Sequence, residues 1–343
     1  MPTAWFIAGA TATGKSAVAQ RLAEQLGCAI LSADSMLVYR GMDIGTAKPT
    51  PAERGAVPYS GIDLVTPDQP FSTGLWLAAV RSSEVLKCES SKVGSPRTPE
   101  LPNFRTSELP HSRTLELPHF RTSQLPLIVA GGTGLYIKAL TDGIDGEAAD
   151  PEARARWQTL HEREGADALR RALEARAPGA LAALPDAANP RRLLRALEHL
   201  DARGTLPAQW KAPPAAAPVP VLRLPREQLH ARIARRVAAM FKAGLIDEVR
   251  ALRRDFPVWS DTARRAIGYA EACALLDGTL TEREAIEQIT IRTRQLAKRQ
   301  ETWFRHQAQS IVIDIEDTDP PEHVARRVLD TWRKHGPTNV LPL

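Results

Sequence analysis

The sequence is poor in the residues that cross-link small folds or hold metals. Among 343 residues there are three cysteines, Cys28, Cys88 and Cys273, which lie far apart and form no C-x-x-C pair. A disulfide scaffold or a zinc ribbon is therefore not expected, and a reducing cytosol fits this usage. The eight histidines form no ligand-spaced cluster with cysteine, which predicts no structural zinc.

Long apolar runs and a strong excess of one charge are also missing. No stretch approaches the roughly 18 consecutive apolar residues that a membrane span needs, so we expect no membrane partner. The hydrophobic share of 43% still allows a large core, and the length allows one to three domains. The net charge of +5 is compatible with a polyanionic partner without establishing one.

The most informative segment present is G-A-T-A-T-G-K-S at residues 9–16, which matches the phosphate-binding loop G-x-x-x-x-G-K-[ST]. An apolar run at 5–8 precedes it, and residues 15–26 follow with apolar side chains at helical spacing. Backbone N–H groups, the helix N-terminus and Lys15 would face an anion, and Ser16 would ligate Mg²⁺ bridging phosphate oxygens. The predicted phosphate-binding residues are Gly9, Ala10, Thr11, Ala12, Thr13, Gly14, Lys15 and Ser16.

Short apolar strands alternate with helical patterns in the first part of the chain, which predicts a parallel α/β sheet. A second glycine turn follows a strong apolar run, and it brings another anion-friendly helix end to the same cleft. The predicted elements are strands at 29–32, 62–65 and 127–130, and helices at 71–86 and 135–140.

An octapeptide, R-T-x-E-L-P-x-x, repeats across residues 97–126. Its prolines disfavour helix and central strand, so we predict a low-complexity insertion spanning 92–126. The alternative is a basic arm that touches nucleic acid, although each full unit carries one Arg and one Glu that cancel.

The rest of the chain is mostly helical in pattern, interrupted by a Pro/Ala linker at 211–220. A strand at 219–224, a last strand at 310–315 and a last helix at 321–335 return to the sheet. We therefore predict a P-loop NTPase-like parallel sheet core at 1–145, an inserted all-helical domain at 146–210, and a return to the core at 211–343.

Two further positions carry candidate chemistry. Asp34 lies two residues past the second strand, where side chains face the crevice beyond the carboxyl ends of the strands. It is a candidate magnesium ligand or general base, and the alternative is a turn cap. Arg232, with Arg235 near it, follows strand 219–224 and is a candidate bidentate clamp on a diphosphate; the alternative is a solvated helix face.

Two basic helical segments, 191–195 and 292–305, suggest contact with a phosphate backbone, the second with aromatic residues between its charges. Basic helix faces are also common as plain solvated surface. To this point the residues predict a magnesium-dependent, diphosphate-binding α/β enzyme, without choosing between a kinase and another transferase.

Five longer motifs favour another transferase over a kinase. Together with the phosphate loop, they resemble the tRNA dimethylallyltransferase (tRNA isopentenyltransferase) family over nearly the whole chain. The octapeptide repeat is not part of the family pattern. The motifs are D-S-M-L-V-Y-R-G-M-D-I-G-T-A-K-P at 34–49, G-G-T-G-L-Y at 131–136, N-P-R-R-L-L-R-A-L-E at 189–198, R-A-I-G-Y at 265–269 and T-R-Q-L-A-K-R-Q at 293–300.

The resemblance implies transfer of a dimethylallyl group from dimethylallyl diphosphate to the exocyclic amine of an adenosine. That adenosine lies 3′ of the anticodon in tRNAs that read codons beginning with U. The implied catalytic residues are Asp34 as general base, Thr133, which orients the adenine or Asp34, and Arg232 on the diphosphate. The helical domain would hold the anticodon stem, and the target base would be pulled from its stack.

On this resemblance we expect a cytoplasmic monomer. A P-loop small-molecule kinase, a free-adenylate prenyltransferase and a non-catalytic RNA-binding protein remain alternatives. We place tRNA against Asp34, Ser35, Met36, Leu37, Thr133, Arg154, Arg191, Arg192, Leu193, Leu194, Arg195, Arg265, Ala266, Ile267, Gly268, Tyr269 and Ala270.

Overall fold

The structure of the chain, a computed structural model, describes residues 3–82, 127–143, 151–184, 186–207 and 218–340. The octapeptide repeat, Cys88 and most of the predicted linker lie outside these ranges. By compactness the chain forms two units, Met1–Thr141 with Pro214–Leu343, and Asp142–Pro213.

A parallel sheet is the centre of the first unit, which confirms the predicted fold class. Its strand order is β3-β2-β4-β1-β5-β6, and β7 pairs with β1 in the antiparallel direction. The central strands are buried, as expected for near-continuous apolar runs in a parallel sheet. The strands are β1 Thr3–Gly9, β2 Ala29–Ser32, β3 Tyr59–Ser60, β4 Leu127–Gly131, β5 Val219–Arg223, β6 Ser310–Asp314 and β7 Thr338–Asn339.

Helices cover this sheet and make up the second unit. In chain order they are α1 Lys15–Leu26, α2 Pro51–Arg54, α3 Thr73–Ser82, α4 Gly134–Thr141, α5 Pro151–Arg176, α6 Ala180–Ala183, α7 Pro190–Arg203, α8 Arg226–Lys242, α9 Leu245–Asp255, α10 Asp261–Arg264, α11 Tyr269–Leu276, α12 Glu282–Gln307 and α13 Pro321–His335. None of the helices in the described ranges combines the length and apolar character that a bilayer crossing requires.

One predicted strand is wrong. Residues 62–65 form no strand, and β3 lies just before them. Gly61 and Asp63 have φ angles of +77° and +53°, so the backbone turns there instead of staying extended. Val65 keeps only an isolated bridge to Tyr39.

The second unit has its own apolar core, formed where α5, α6 and α7 meet. Trp157 of α5 packs there with leucines of α7, including Leu193 and Leu197. Asn189 caps α7, since its side chain accepts a hydrogen bond from the backbone N–H of Arg191 at 3.1 Å. Gly165 has φ 79° and interrupts α5.

Candidate active site

The phosphate-binding loop joins the end of β1 to the start of α1. Gly14 has φ +85° at the helix N-cap, a conformation that favours glycine. Lys15 is buried, and its Nζ donates to the carbonyl oxygen of Ala10 at 3.3 Å. A cavity of about 670 Å³ opens beside the loop and is lined in part by Gly14, Lys15 and the exposed Ser16.

Arg236, which the sequence reasoning missed, is a further cation on this cavity. Its Nη1 donates to Thr11 Oγ1 at 3.2 Å, and its Nη2 donates to the carbonyl oxygen of Thr46 at 3.1 Å. Its Nε is buried and has no hydrogen-bond partner. The available signal was its spacing of four residues from Arg232, which places both on one helix face.

Burial and two neighbouring charges shift the pKa of Lys15. Burial is the main cause that lowers the pKa of Lys15 to about 8, the charge of Asp34 raises it again, and the charge of Arg236 lowers it further. Burial likewise lowers the pKa of Arg236, and Asp34 opposes this shift. The two cations and the carboxylate therefore share one electrostatic environment at the loop.

The loop after β2 carries Asp34 and contacts the glycine turn after β4. Thr133 Oγ1 accepts a hydrogen bond from the backbone N–H of Ser35 at 3.1 Å, and the Thr133 N–H donates to the carbonyl oxygen of Ala33 at 3.0 Å. Asp34 Oδ1 accepts from the backbone N–H of Met36 at 3.0 Å, so the predicted turn-cap contact also exists. The turn is tight, because a Cβ added at Gly131 would lie 2.1 Å from the Ala33 oxygen.

Arg232 lies at the rim of the same cavity, with much of its guanidinium already engaged. Its Nε donates to the carboxylate of Asp317, and its Nη2 donates to the Asp317 carbonyl oxygen at 3.1 Å. Its Nη1 would be 3.3 Å from a Cβ added at Gly14. The structure thus places the predicted clamp next to the loop, but bound to a carboxylate.

The segment 43–49 forms another wall of the cavity, to which Ala47 and Pro49 contribute. Glu248 of α9 holds this wall, since its Oε2 accepts from the backbone N–H groups of Asp43 and Ile44 at 3.2 and 2.8 Å. From the other side, Lys48 donates to the carboxylates of Asp43 and Asp63, each at 2.6 Å.

Tyr269 completes this support and is not a surface residue. Its hydroxyl donates to Glu248 Oε1 at 2.5 Å and accepts from the Gly45 N–H at 3.2 Å. The ring is fully buried, and a Cβ added at Gly45 would lie 2.4 Å from it. Burial raises the pKa of Tyr269, and the carboxylate of Glu248 raises it further.

Several residues predicted to contact tRNA have buried side chains. These side chains pack in the core, so a contact of these residues with RNA would involve their backbone, and the assignment stays a prediction; they are Leu37, Leu193, Leu194, Ala266 and Tyr269. Gly268 is also buried, and it precedes α11 as its N-cap. Ser35, Met36, Ile267 and Ala270 are partly exposed.

The predicted basic contacts are at the surface. Arg265 is exposed on the first unit, where its carbonyl oxygen accepts from Arg292 at 3.0 Å. In the second unit Arg191 and Arg192 are exposed on α7. Arg154 and Arg195 lie 3.7 and 3.6 Å from the buried carboxylate of Glu198.

No group of three or more His, Cys, Asp or Glu side chains in the described part of the chain is arranged to hold a metal ion. A parallel sheet with a phosphate loop at the end of β1, flanked by a carboxylate after β2, defines a P-loop α/β enzyme. The class of reaction follows from comparison with known proteins.

The family profile described as IPP transferase matches residues 37–90 and 113–307, and that described as Isopentenyl transferase matches residues 2–57. A tRNA dimethylallyltransferase from Anaeromyxobacter dehalogenans (strain 2CP-C) is 37% identical over 331 residues, covering 94% of this chain and 97% of that protein. Another, from Syntrophobacter fumaroxidans, is 38% identical over 336 residues, covering 96% and 88%.

Solved structures of similar proteins agree with this family assignment. A full-length tRNA isopentenylpyrophosphate transferase from Bacillus halodurans superposes with a TM-score of 0.59 at 30% identity, covering 98% of each chain. A eukaryotic dimethylallyltransferase acting on tRNA has a TM-score of 0.63 at 19% identity, covering 98% of this chain and 77% of that one, and supports the fold alone. The chain belongs to the tRNA dimethylallyltransferase family, whose members are prenyltransferases.

Proposed function

We propose that this chain transfers a dimethylallyl group from dimethylallyl diphosphate to the exocyclic amine of the adenosine 3′ of the anticodon. The acceptors would be tRNAs that read codons beginning with U, and the product N6-dimethylallyladenosine. Family membership supports the reaction class, and the arrangement of charges at the phosphate loop supports the assignment of residues.

One observation carries the donor site. Lys15 and Arg236 are cations on one cavity, and among the described residues neither has a carboxylate within 4 Å. A cation that is shielded from solvent and has no carboxylate in contact is costly, and an anionic ligand reduces that cost. A diphosphate matches both the charge and the phosphate loop.

The same groups would stabilise the departing diphosphate. Charge grows on the leaving oxygen as the allylic C–O bond breaks, and Lys15 and Arg236 already lie on the cavity where this charge would develop. Arg232, at the edge of the cavity, would donate a further hydrogen bond to the diphosphate through its Nη1. Mg²⁺ bound to phosphate oxygens commonly takes only one or two ligands from the protein, and the Ser16 hydroxyl lies on the cavity where it could be such a ligand. A bound Mg²⁺ would supply further charge neutralisation.

Asp34 would remove the proton from the adenine amine. This amine is a weak nucleophile because its lone pair is delocalised into the ring, so a positioned base helps. Asp34 Oδ1 is held by the N–H of Met36, which leaves Oδ2 for the proton. Thr133 would fix this loop through its contact with Ser35.

The exposed arginines would bind the tRNA backbone. Arg154, Arg191 and Arg192 on the second unit, and Arg265 on the first, offer donors that suit phosphate oxygens. We further propose that the protein works as a monomer in the cytoplasm, two expectations that come from the sequence.

Mass spectrometry of unmodified tRNA, incubated with the protein, Mg²⁺ and dimethylallyl diphosphate, tests the proposal. We expect one added dimethylallyl group on the adenosine 3′ of the anticodon, and none on a tRNA that lacks adenosine there. Turnover of free adenosine phosphates without tRNA modification would contradict the proposal in favour of a free-adenylate prenyltransferase. Phosphoryl transfer from a nucleotide to a small molecule would favour a kinase.

A further inference from the structure

Gln300 of α12 joins two loops that are far apart in the sequence. Its Oε1 accepts from the backbone N–H of Thr11 at 2.8 Å, and its Nε2 donates to the carbonyl oxygen of Gly132 at 2.9 Å. Thr11 belongs to the phosphate loop after β1, and Gly132 to the glycine turn after β4. One side-chain amide therefore holds the ends of two neighbouring strands together.

Neighbouring atoms restrict both residues that Gln300 contacts. A Cβ added at Gly132 would lie 2.4 Å from Gln300 Nε2, so this turn approaches the amide as closely as glycine permits. Thr11 is held a second time through its hydroxyl, which accepts from Arg236. The bridge needs a donor and an acceptor on one planar group, which glutamine supplies and carboxylate or thioether side chains do not.

The bridge continues to the candidate base. The residue after Gly132 is Thr133, whose hydroxyl accepts from the Ser35 N–H next to Asp34. A short chain of hydrogen bonds thus runs from Thr11, through Gln300 and the glycine turn, to the loop that carries Asp34.

We propose that Gln300 is a positioning residue that sets the distance between the bound prenyl diphosphate and the base that activates the nucleobase. It touches neither reacting group, and it acts by fixing the phosphate loop against the glycine turn. This inference rests on the proposed roles of the phosphate loop and Asp34. A misplacement of about 1 Å between reacting groups can cost about 10²-fold in rate, so two hydrogen bonds suffice for a large effect.

The test compares Gln300→Met, which keeps the volume and removes both hydrogen bonds, with Gln300→Glu, which keeps the acceptor and loses the donor. Gln307→Met is the matched control, because Gln307 is exposed at the last position of the same helix. For Gln300→Met we expect kcat to fall about 10- to 100-fold while KM for donor and for tRNA each change less than about 3-fold.

The carboxylate variant gives a signature that a purely structural role would not. A protonated carboxyl regains a donor toward the Gly132 oxygen, whereas the ionised form faces that oxygen with a negative charge. Because a glutamic acid side chain ordinarily has a pKa of about 4.3, the kcat of Gln300→Glu relative to wild type, measured from pH 8 down to pH 5, is expected to rise toward the acid end of this range. The same ratio for Gln307→Met should stay flat.

Three results would overturn the inference: unchanged kcat in Gln300→Met, a loss that appears as KM alone, or a pH-independent ratio for Gln300→Glu. If Gln300→Met does not fold, as judged by circular dichroism, the pH series on Gln300→Glu decides. These outcomes are separate from failure of the proposed function, in which wild type itself would not modify tRNA.

Discussion

At the scale of single residues, Lys15 gives the reaction a pH limit. Burial lowers its pKa to about 8, and only the protonated ammonium attracts a diphosphate. Donor binding to the free enzyme should therefore weaken as the pH rises through about 8, while kcat at saturating donor changes less, because the bound anion favours the charged lysine. Measuring KM for the donor from pH 6.5 to 9.5 tests this, and a constant KM would contradict it. In Lys15→Ala the donor KM should be high at every pH.

Asp34→Asn should separate chemistry from binding. The amide oxygen can still accept from the Met36 N–H, but it cannot take a proton. We expect kcat to fall about 10²- to 10⁴-fold, with tRNA affinity retained. Single-turnover kinetics and filter binding on the same preparation measure both, and wild-type turnover would reject Asp34 as the base.

Arg236 and Arg235 are adjacent and provide a matched pair. Arg236 lines the cavity, whereas Arg235 is exposed and donates to Asp317 at 2.6 Å. Arg236→Gln should raise the donor KM by at least about 10-fold, since a charge-assisted contact is lost, while Arg235→Gln should change it less than about 2-fold. Equal effects in steady-state kinetics would exclude Arg236 from the donor site.

At the scale of elements, the wall formed by segment 43–49 depends on α9 and α11. Tyr269→Phe removes one hydroxyl and leaves Glu248 Oε1 and the Gly45 N–H without that partner. An unsatisfied buried group costs about 1–3 kcal/mol, and because Glu248 and Gly45 are only partly buried we expect the free energy of unfolding to fall by an amount near the lower end of this range, together with a raised donor KM. Urea denaturation measures the free energy of unfolding. An unchanged value would mean that the Tyr269 hydroxyl is not needed to hold segment 43–49 in place.

Local patterns in the sequence were sufficient for several elements of the first unit. Helix 15–26, strand 29–32 and helix 321–335 have the predicted bounds, because burial and capping leave direct marks on residue type. The two-residue β3 left no such mark. Leu193 and Leu194 were read as part of a basic motif, although their apolar character already indicated a core face.

The partners that complete the site could not be predicted, because they are long-range. Arg232 and Arg236 lie on one helix face, and only Asp317, 85 residues beyond Arg232, distinguishes them. Glu248 reaches Ile44 across 204 residues, which no local pattern encodes. The motif at 34–49, which contains this wall, is therefore recognised through family resemblance. The contacts of Glu248 and Tyr269 that hold the wall in place are not predicted by it.

At the scale of the whole molecule, the octapeptide repeat is a candidate for removal. The IPP transferase profile matches residues 37–90 and 113–307, so it passes over 91–112 and includes the later part of the predicted insertion at 92–126. Deleting 91–112 should leave kcat/KM for tRNA within about 2-fold of wild type, since surface insertions are tolerated and add little to loop closure. A folded deletion variant without activity would contradict the prediction that the segment is a dispensable insertion.

The long-range contacts at the phosphate loop also have a consequence for synthesis on the ribosome. The loop is translated before both of these partners, because Gln300 follows Thr11 by 289 residues and Arg236 follows it by 225. A nascent chain that ends before α8 carries the complete phosphate-loop motif without the side chains that fix its shape and charge. If the proposed donor site is right, we expect the donor to bind only after α8 and α12 have been synthesised and have packed against the loop.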